Sequence, residues 1–282
     1  MRGTRRYDLS QSARSRLLHQ LAIDPLTMRL ADLVVSVSES LTREISGARG
    51  ADPPAKFKTI IGYVDSARLN AAAHSAVEPE VEALAAFPLV VGAGRMAPEK
   101  GFRHLLERFA AIKPAEPDAK LLLLGDGRSL NELARHSSEL GLSTHVGVAE
   151  DLSPFDVIFL GFRSDPHRYF RFARVFVFSS MTEGFPNMLS EALATGVPIL
   201  AVDGPWGARE VLGLSADPMN NPFPTTSPVE TDFGTLMPRM DEPEFASVWE
   251  AYLLDRLRHD RRSPELTRRQ RHRLAQLDVA HA

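Results

Sequence analysis

Four charged side chains, two cations and two carboxylates, are the candidates for chemistry in this sequence. Arg95 and Lys100 follow one short apolar segment, and Glu183 and Glu191 follow another. Two positive charges suit a diphosphate leaving group, because negative charge grows on its β-phosphate as the bond to it breaks. A loop carboxylate beside them can contact the group that the phosphate releases, such as a sugar.

The two carboxylates are placed by a predicted strand, loop and helix. Residues 174–180 are apolar and β-branched, which predicts a buried strand, and residues 197–202 predict another. Pro186 suits the first turn of a helix between them, and Gly196 suits its end. Glu183 then lies in a loop at the carboxyl end of a strand, the edge of an open parallel sheet where ligands bind.

The two cations follow a strand predicted over residues 87–93. That strand opens into residues 94–102, where glycines allow the backbone to approach a ligand closely. We therefore expect Arg95 and Lys100 to lie over the same crevice as the carboxylates.

A purely structural interpretation stands beside this one. Glu183 can be a carboxylate favoured by the dipole of the following helix, and Glu191 a solvated helical residue. Arg95 and Lys100 can be solvated side chains of a turn. The residues that flank these four favour the functional interpretation.

The flanks resemble a known family. Residues 179–198, SSMTEGFPNMLSEALATGVP, are closely similar to the donor-site signature of the group 1 glycosyltransferases, family 4 in the usual classification. Residues 94–101, GRMAPEKG, match the family's diphosphate-binding loop G-R-x3-E-K-G at every fixed position. Residues 162–170, FRSDPHRYF, are similar to the bacterial members that build capsules and exopolysaccharides.

The resemblance implies a fold and a domain division. Members of the family have the GT-B fold, which consists of two Rossmann-like domains, and they retain the anomeric configuration of the sugar. We therefore expect an α/β fold with a Rossmann-like parallel sheet, the C-terminal half of a GT-B fold, and a small N-terminal α/β remnant. Residues 1–65 are expected to be the remnant of the acceptor domain with its linker, and residues 66–282 the donor domain.

The resemblance also implies roles for individual residues. Arg95 and Lys100 would neutralise the departing diphosphate. Glu183 would contact the donor sugar, and Glu191 would hydrogen-bond the ribose. Gly161 and Phe162 fall in the loop beside the nucleotide base, and the amides of Asn187 and Met188 are candidates for holding phosphate. The implied catalytic residues are Glu183, Arg95 and Lys100, and the implied donor-binding residues are Gly94, Arg95, Lys100, Gly161, Phe162, Glu183, Phe185, Asn187, Met188 and Glu191.

The implied function is the transfer of a hexose, with retention, from a nucleoside-diphosphate sugar to a saccharide or lipid-linked acceptor. The donor is expected to be UDP- or GDP-linked, and the pathway to be polysaccharide or glycoconjugate biosynthesis. Neither a cofactor nor a metal is expected, because no Asp-x-Asp lies between strands and two cations can take the role of a metal ion.

The amino-acid composition limits which binding partners and which cellular location are expected. The 33 basic and 36 acidic residues leave a formal net charge of −3, which gives no argument for binding nucleic acid. The absence of cysteine excludes disulfides, thiolate zinc sites and a cysteine nucleophile, and it is compatible with the cytoplasm. An arginine-rich helix predicted over residues 242–277 suits either peripheral contact with anionic lipid or a solvated surface.

The N-terminal stretch supplies only the end of the family's first domain. The predicted elements there are a helix over residues 10–30, a strand over 31–38, a helix over 39–45 capped by Ser38, and a strand over 56–61. No glycine-rich loop precedes them, and no acceptor pocket or catalytic histidine is recognisable. The chain is then either an active transferase whose acceptor domain comes from another protein, or a nucleotide-sugar-binding fragment of a truncated gene. A sugar-nucleotide epimerase is rejected because the phosphate loop lacks G-x-G-x-x-G.

Two segments exceed what the family needs. Residues 145–156 are expected to be a surface insertion. Residues 216–232 are polar and rich in proline, and they are expected to form a long loop that is either a lid or disordered.

Overall fold

The computed structural model describes residues 29–47, 52–61, 65–72, 75–204, 207–214 and 224–278. The helix predicted over residues 10–30 lies almost entirely outside this part of the chain. So do residues 62–64 of the predicted linker and residues 216–223 of the predicted long loop.

A large sheet dominates the described part of the chain. The strands are β1 Val34–Ser36, β2 Phe57–Thr59, β3 Leu89–Ala93, β4 Lys120–Leu124, β5 Thr144–Val146, β6 Val157–Gly161, β7 Val175–Phe178, β8 Ile199–Val202, β9 Val229–Glu230 and β10 Thr235–Met237. Eight of them form one sheet in the order β5-β6-β4-β3-β7-β8-β10-β9, which is parallel throughout except that β9 runs antiparallel to β10. The expected α/β fold with a Rossmann-like parallel sheet is confirmed.

Helices cover both faces of this sheet. They are α1 Glu39–Ser46, α2 Ser66–Ala72, α3 Pro79–Glu82, α4 Phe102–Ile112, α5 Leu130–Glu139, α6 His167–Phe170, α7 Asn187–Leu193, α8 Ala208–Val211, α9 Ala246–Arg258 and α10 Pro264–Gln276, with 3-10 turns at Ala83–Ala86, Pro98–Lys100 and Pro243–Phe245. Alternate residues of β7 point to opposite sides, Phe176 into one apolar cluster and Val177 into the other. The central strands are therefore buried on both faces, which explains why their sequences are continuously apolar rather than alternating.

The direction of the connections reverses between β3 and β7. The three strands that follow β3 in the chain lie on one side of it, in the order β4, β6 and β5, whereas the three that follow β7 lie on the other side, in the order β8, β10 and β9. The connections from these two neighbouring strands therefore lead to opposite sides of the sheet, which makes the carboxyl edge between β3 and β7 the expected place of a crevice. Such a reversal is where open α/β sheets bind ligands.

Two expectations about the longer segments need correction. Residues 145–156 are not simply a surface insertion, because Thr144–Val146 forms the edge strand β5 and pairs in parallel with β6. Residues 216–232 are not a loop throughout, because Val229–Glu230 pairs with β10. Both strands have at most three residues, too few for periodicity to reveal them, and pairing with a neighbouring strand defines them instead.

The N-terminal residues form a second, two-stranded sheet. β1 pairs in parallel with β2, and α1 begins at Ser38, whose hydroxyl accepts a hydrogen bond from the Leu41 amide at 3.4 Å. The predicted cap is confirmed. The carboxylate of Glu210 also accepts hydrogen bonds from the amides at the start of α1, at 3.0 Å from Glu39 and 2.7 Å from Ser40. This contact joins the small sheet to the large domain.

The arginine-rich tail forms two helices, α9 and α10, and its arginines have partners within the protein. Arg258 pairs with Glu116 at 3.0 Å, Arg261 with Asp255 at 2.9 Å and Arg269 with Asp232 at 2.9 Å. The positive charge of the tail is therefore largely balanced by acidic side chains of the same chain, and contact of the tail with lipid stays a prediction. Among the described residues, the structure contains no helix with both the length and the apolar character that crossing a membrane requires.

One ion-pair cluster in this tail leads to a testable pH dependence. The hydrogen bond from Arg262, together with the charge of Arg174, lowers the pKa of Asp260 to about 2. A lowered pKa stabilises the fold above the ordinary value near 4, and this stabilisation is lost as the pH falls towards 2. Because the carboxyl group is 36% exposed, screening reduces the gain to about 1 kcal/mol.

We predict that Asp260→Asn lowers the free energy of unfolding by about 1 kcal/mol at neutral pH, because the paired carboxylate is lost. The difference from wild type should shrink progressively below about pH 4. Urea titrations across this range measure it, and Asp118→Asn, on the exposed surface, is the control. A difference that does not change with pH would contradict the assignment.

Candidate functional site

The crevice between β3 and β7 brings together a cation and a carboxylate from distant parts of the sequence. Lys100 follows β3, Glu183 follows β7, and the Lys100 ammonium donates directly to Oε1 of Glu183. The side chains are only 17% and 20% exposed. Charges that are partly withdrawn from water interact more strongly than charges on an open surface, so solvent screens this pair less than it screens the exposed ion pairs.

The loop that carries Lys100 is fixed by contacts with the loop that carries Glu183. The Ser179 hydroxyl donates to the Lys100 carbonyl at 2.8 Å, and the Met181 amide donates to the Glu99 carbonyl at 2.9 Å. Gly101 ends the 3-10 turn with a φ of 69°, and a Cβ there would lie 2.1 Å from the Ser179 carbonyl oxygen. Only glycine allows this approach, which explains the residue that follows the lysine.

The same loop is anchored on its other side to the end of β4. The Met96 side chain is fully buried, and its amide donates to the Asp126 carbonyl at 2.8 Å. The Gly94 amide donates to the Leu124 carbonyl at 2.9 Å. Asp126 therefore belongs to a structural turn, and the backbone of the loop after β3 is held by the ends of β4 and β7, the strands on either side of it.

Glu183 receives a second donor that sequence reasoning did not identify. The Ser180 hydroxyl, almost completely buried, lies 2.9 Å from Oε1 of Glu183. Lys100 donates to the same oxygen, so both contacts hold Oε1 and neither uses Oε2. Ser180 lies three residues before Glu183 within the recognised signature, but no spacing rule indicates which of the neighbouring hydroxyls reaches the carboxylate.

Arg95 is placed differently from Lys100. Its side chain is 68% exposed and pairs with Glu99, at 2.7 Å, within its own loop. The structure therefore joins only one of the two predicted cations to Glu183. Arg95 lies at the outer rim of the loop and is free to change conformation at little cost, because exposed ion pairs contribute little stability.

Glu191 lies on α7 beside a buried histidine. Oε2 of Glu191 is 3.5 Å from Nδ1 of His167, whose side chain is 1% exposed. This contact was not predicted, because His167 belongs to α6, which packs beside α7 only in the folded chain. Glu191 is itself partly exposed and can reach a ligand.

The start of α7 uses some of its polar groups internally. The Asn187 amide donates to the Phe185 carbonyl at 3.1 Å, and the amides of Leu189 and Ser190 donate to the Pro186 carbonyl. The Asn187 side chain is exposed, Met188 is half-buried, and Phe185 packs into the core. The roles predicted for the Asn187 and Met188 amides stay predictions.

The loop after β6 contains the residues predicted to lie beside the base. Gly161 has a φ of 82°, and the Phe162 side chain is 72% exposed. Arg163 holds this loop by donating to the carbonyls of Leu160, at 2.9 Å, and Phe162, at 3.0 Å.

A buried network fixes Arg163 in turn. The guanidinium contacts Glu78 at 3.1 Å, and the Tyr169 hydroxyl donates to the same carboxylate at 2.7 Å. Burial raises the pKa of Tyr169, with the hydrogen bond to Glu78 acting in the same direction. Burial opposes ionisation of Glu78, but these hydrogen bonds and the charge of Arg163 lower its pKa overall. The backbone shape of the loop after β6 is therefore set by side chains that sequence reasoning did not single out.

The adjacent strand β8 ends in a buried ion pair. Arg209 contacts Asp203 through two hydrogen bonds, Nε to Oδ1 at 2.8 Å and Nη2 to Oδ2 at 2.5 Å, and Asp203 is fully buried. Asp203 also accepts from the Thr225 amide at 2.7 Å. This pair connects the end of the strand to the start of α8, which carries Glu210.

A group of three or more His, Asp or Glu side chains suited to a metal ion does not occur among the described residues. The predicted independence from metal therefore stays a prediction about the reaction. A shallow depression of about 470 Å³ at the β9–β10 turn, lined by residues 212–214 and 230–233, contains none of the predicted site residues.

Comparison with known proteins supports the resemblance seen in the sequence. Residues 87–222 match the family model described as "Glycosyl transferases group 1". An uncharacterised glycosyltransferase of Methanocaldococcus jannaschii is 33% identical over 122 residues, which are 43% of this chain and 27% of that protein. The lipopolysaccharide core biosynthesis glycosyltransferase LpsE of Rhizobium meliloti is 28% identical over 158 residues, 55% of this chain and 41% of that protein.

Solved structures share the fold. Anabaena HepE in complex with UDP has a TM-score of 0.64 at 21% identity, with 96% of this chain and 66% of that chain covered. WaaG, a glycosyltransferase involved in lipopolysaccharide biosynthesis, has a TM-score of 0.62 at 14% identity, with 94% and 66% covered. The chain spans less than half the length of the two curated relatives described above.

The packing of the phosphate loop leads to a prediction for its glycine. Gly101→Ala should lower the free energy of unfolding by more than about 2 kcal/mol, because the left-handed backbone and the contact with the Ser179 carbonyl both exclude a Cβ. Gly141→Ala is the matched control: its φ is 81° but no atom lies within 4 Å, so about 1 kcal/mol is expected. Urea unfolding measures both, and equal losses would show that the loop tolerates the side chain.

Proposed function

We propose that this chain, whose residues 87–222 match the model of the group 1 glycosyltransferases, is a member of that family, binds a nucleoside-diphosphate sugar in the crevice between β3 and β7 and takes part in transfer of its hexose. The observation that carries the proposal is the contact between Lys100 and Glu183 across this crevice. The pair places a cation suited to a diphosphate next to a carboxylate suited to a sugar. A nucleoside-diphosphate sugar, in which the sugar is bonded to the diphosphate, requires these two kinds of side chain to be adjacent.

The diphosphate would be bound by the loop after β3. Gly94 allows the backbone to approach the ligand, Lys100 supplies the inner positive charge, and Arg95 at the rim supplies a second one on rotation away from Glu99. The amides of Met188 and Asn187 at the start of α7 would complete the phosphate contacts, that of Asn187 by giving up its hydrogen bond to the Phe185 carbonyl.

The rest of the donor would extend along the carboxyl edge of the sheet. Glu191 would accept hydrogen bonds from the ribose, with Phe185 packed beneath the start of α7. The base would lie against Gly161 and Phe162. Arg163 holds the carbonyls on both sides of Gly161, which supports recognition through a fixed backbone.

Transfer would occur by separation of charge. The bond between the anomeric carbon and the β-phosphate oxygen breaks, its electron pair remains on the oxygen, and the acceptor hydroxyl forms the new bond to the anomeric carbon. Retention requires the acceptor to approach from the face that the phosphate leaves, so the departing phosphate oxygen is the nearest base for the hydroxyl proton. Lys100 and Arg95 would stabilise the growing negative charge and Glu183 the cationic sugar, without a metal ion.

The acceptor half of the cleft would be completed by additional protein. In the small sheet of β1 and β2, Leu33, Val35 and Val37 alternate on one face and are 58%, 49% and 39% exposed. Parallel sheets are normally covered on both faces, so this face suits packing against further α/β structure. The acceptor is proposed to be a saccharide or a lipid-linked saccharide. The name of one Campylobacter jejuni relative, 32% identical over 30% of its length, specifies a diphospho-undecaprenol substrate.

A second candidate is a donor-binding unit without turnover. It is favoured by the small share of each curated relative that the chain spans. The two candidates differ in one observable, because such a unit binds the sugar nucleotide but neither transfers nor hydrolyses the sugar.

The donor site is tested by calorimetric titration of the chain with UDP and GDP and then with UDP-glucose and GDP-mannose. We expect saturable binding of one nucleotide class and a loss of about ten- to a hundredfold in Lys100→Ala, because a charge-assisted contact is removed. Arg135→Ala removes an exposed cation from α5 and should bind as wild type does. A folded chain that binds neither nucleotide would contradict the proposal.

A further inference from the structure

The ion pair between Lys100 and Glu183 has a consequence for the order in which the two halves of the donor are held. Lys100 is the cation expected to bind the diphosphate, yet in this structure its ammonium donates to Glu183. A diphosphate that approaches Lys100 therefore meets a cation whose charge is already balanced and a carboxylate that repels it. Both side chains are about four-fifths buried, so solvent screens this repulsion incompletely.

We propose that Glu183 competes with the diphosphate for Lys100 and thereby disfavours the nucleoside diphosphate product relative to the sugar nucleotide. The inference rests on the function proposed above and deepens it by assigning a role in product release. Cleavage of the bond to the anomeric carbon leaves the electron pair on the β-phosphate oxygen, so the product carries more negative charge than the donor. The same carboxylate contacts the sugar in the donor, whereas the product offers no sugar to offset the repulsion.

Ser180 allows Glu183 to change partners without losing its position. Its hydroxyl donates to Oε1 at 2.9 Å, the oxygen that Lys100 also contacts. When Lys100 turns towards a diphosphate, this hydrogen bond still holds the carboxylate in place, with Oε2 directed to the sugar hydroxyls. Other acceptors for Ser180, the carbonyls of Glu99 and Thr182, lie at 3.4 Å and are less favourable than a charged oxygen at 2.9 Å.

The contrast with the other cation of the loop supports this assignment. Arg95 pairs with Glu99, but its side chain is 68% exposed, so solvent screens that pair and the arginine is readily released. Lys100 lacks this freedom because its ammonium lies in the crevice. Of the carboxylates of Glu99 and Glu183, that of Glu183 is the one positioned to weaken diphosphate binding appreciably.

The test compares nucleotide affinities of Glu183→Gln and the wild type by calorimetry, using UDP and GDP as the products and UDP-glucose and GDP-mannose as the donors. Removing the charge should tighten binding of the nucleoside diphosphate by about three- to tenfold, because the repulsion is lost and Lys100 is released. The affinity for the matching sugar nucleotide should rise less or should fall, since its sugar no longer contacts a charged carboxylate. The measured ratio of product to donor affinity therefore rises.

Two further variants separate this mechanism from a general effect of charge. In the Lys100→Ala background, Glu183→Gln should give no more than a small residual gain, as a double-mutant cycle reveals. Glu132→Gln, which makes the same change in net charge on an exposed part of α5, should leave both affinities unchanged.

Ser180→Ala tests the positioning role. It should spare UDP or GDP affinity but reduce the additional affinity contributed by the sugar, and Ser180→Thr, which retains the hydroxyl, should restore part of it. A merely structural role for Ser180 would instead reduce both affinities together.

The outcomes distinguish the inference from the function on which it rests. Equal or weaker diphosphate binding in Glu183→Gln, with binding intact in the wild type, would overturn the competition while the donor site stands. A gain of the same size in the Lys100→Ala background would also overturn it. A folded wild-type chain that binds neither UDP nor GDP would overturn both.

Discussion

The direct pairing of β3 with β7 is the constraint on which the site depends. Val90 lies opposite Val175 and Val91 opposite Phe176, although long stretches of chain separate the two strands. Because both strands run parallel, their carboxyl ends meet at the same edge, and the connections then diverge to either side. The loop after β3 and the loop after β7 are thereby brought into contact without either having to extend far from the sheet.

Tight backbone packing turns this proximity into a defined geometry. The loop after β3 is hydrogen-bonded to the end of β4 on one side and to the residues after β7 on the other. Binding of a ligand to this loop would cost little backbone entropy, because the backbone is already ordered. The largely buried Lys100 and the exposed Arg95 differ in their surroundings although they belong to one short motif.

The fold was largely predictable because its signals are local. The apolar strands, the cap at Ser38 and the helix that follows Pro186 each depend on a few neighbouring residues, and the structure confirms them. The edge strand Thr144–Val146 was missed because pairing with β6, rather than its own sequence, gives it its conformation. Short edge strands carry too few residues for a periodic pattern.

The residues of the candidate site could be selected from the sequence, but the contacts between them could not. The motifs indicated Lys100 and Glu183 as members of one site, whereas the shared use of Oε1 by Lys100 and Ser180 depends on side-chain directions that only the folded chain defines. The same applies to Arg163, which reaches Glu78 from a distant segment. Convergence of this kind has no signature in residue spacing.

The central claim, that the carboxyl edge between β3 and β7 holds a nucleotide, is tested most directly by amide hydrogen exchange with and without UDP and GDP. Nucleotide binding should slow exchange in residues 94–101, 161–163 and 183–191, the segments on either side of the crevice, and leave the β9–β10 turn unchanged. If a folded chain binds the nucleotide but exchange slows only in other segments, the ligand lies elsewhere and the account is contradicted.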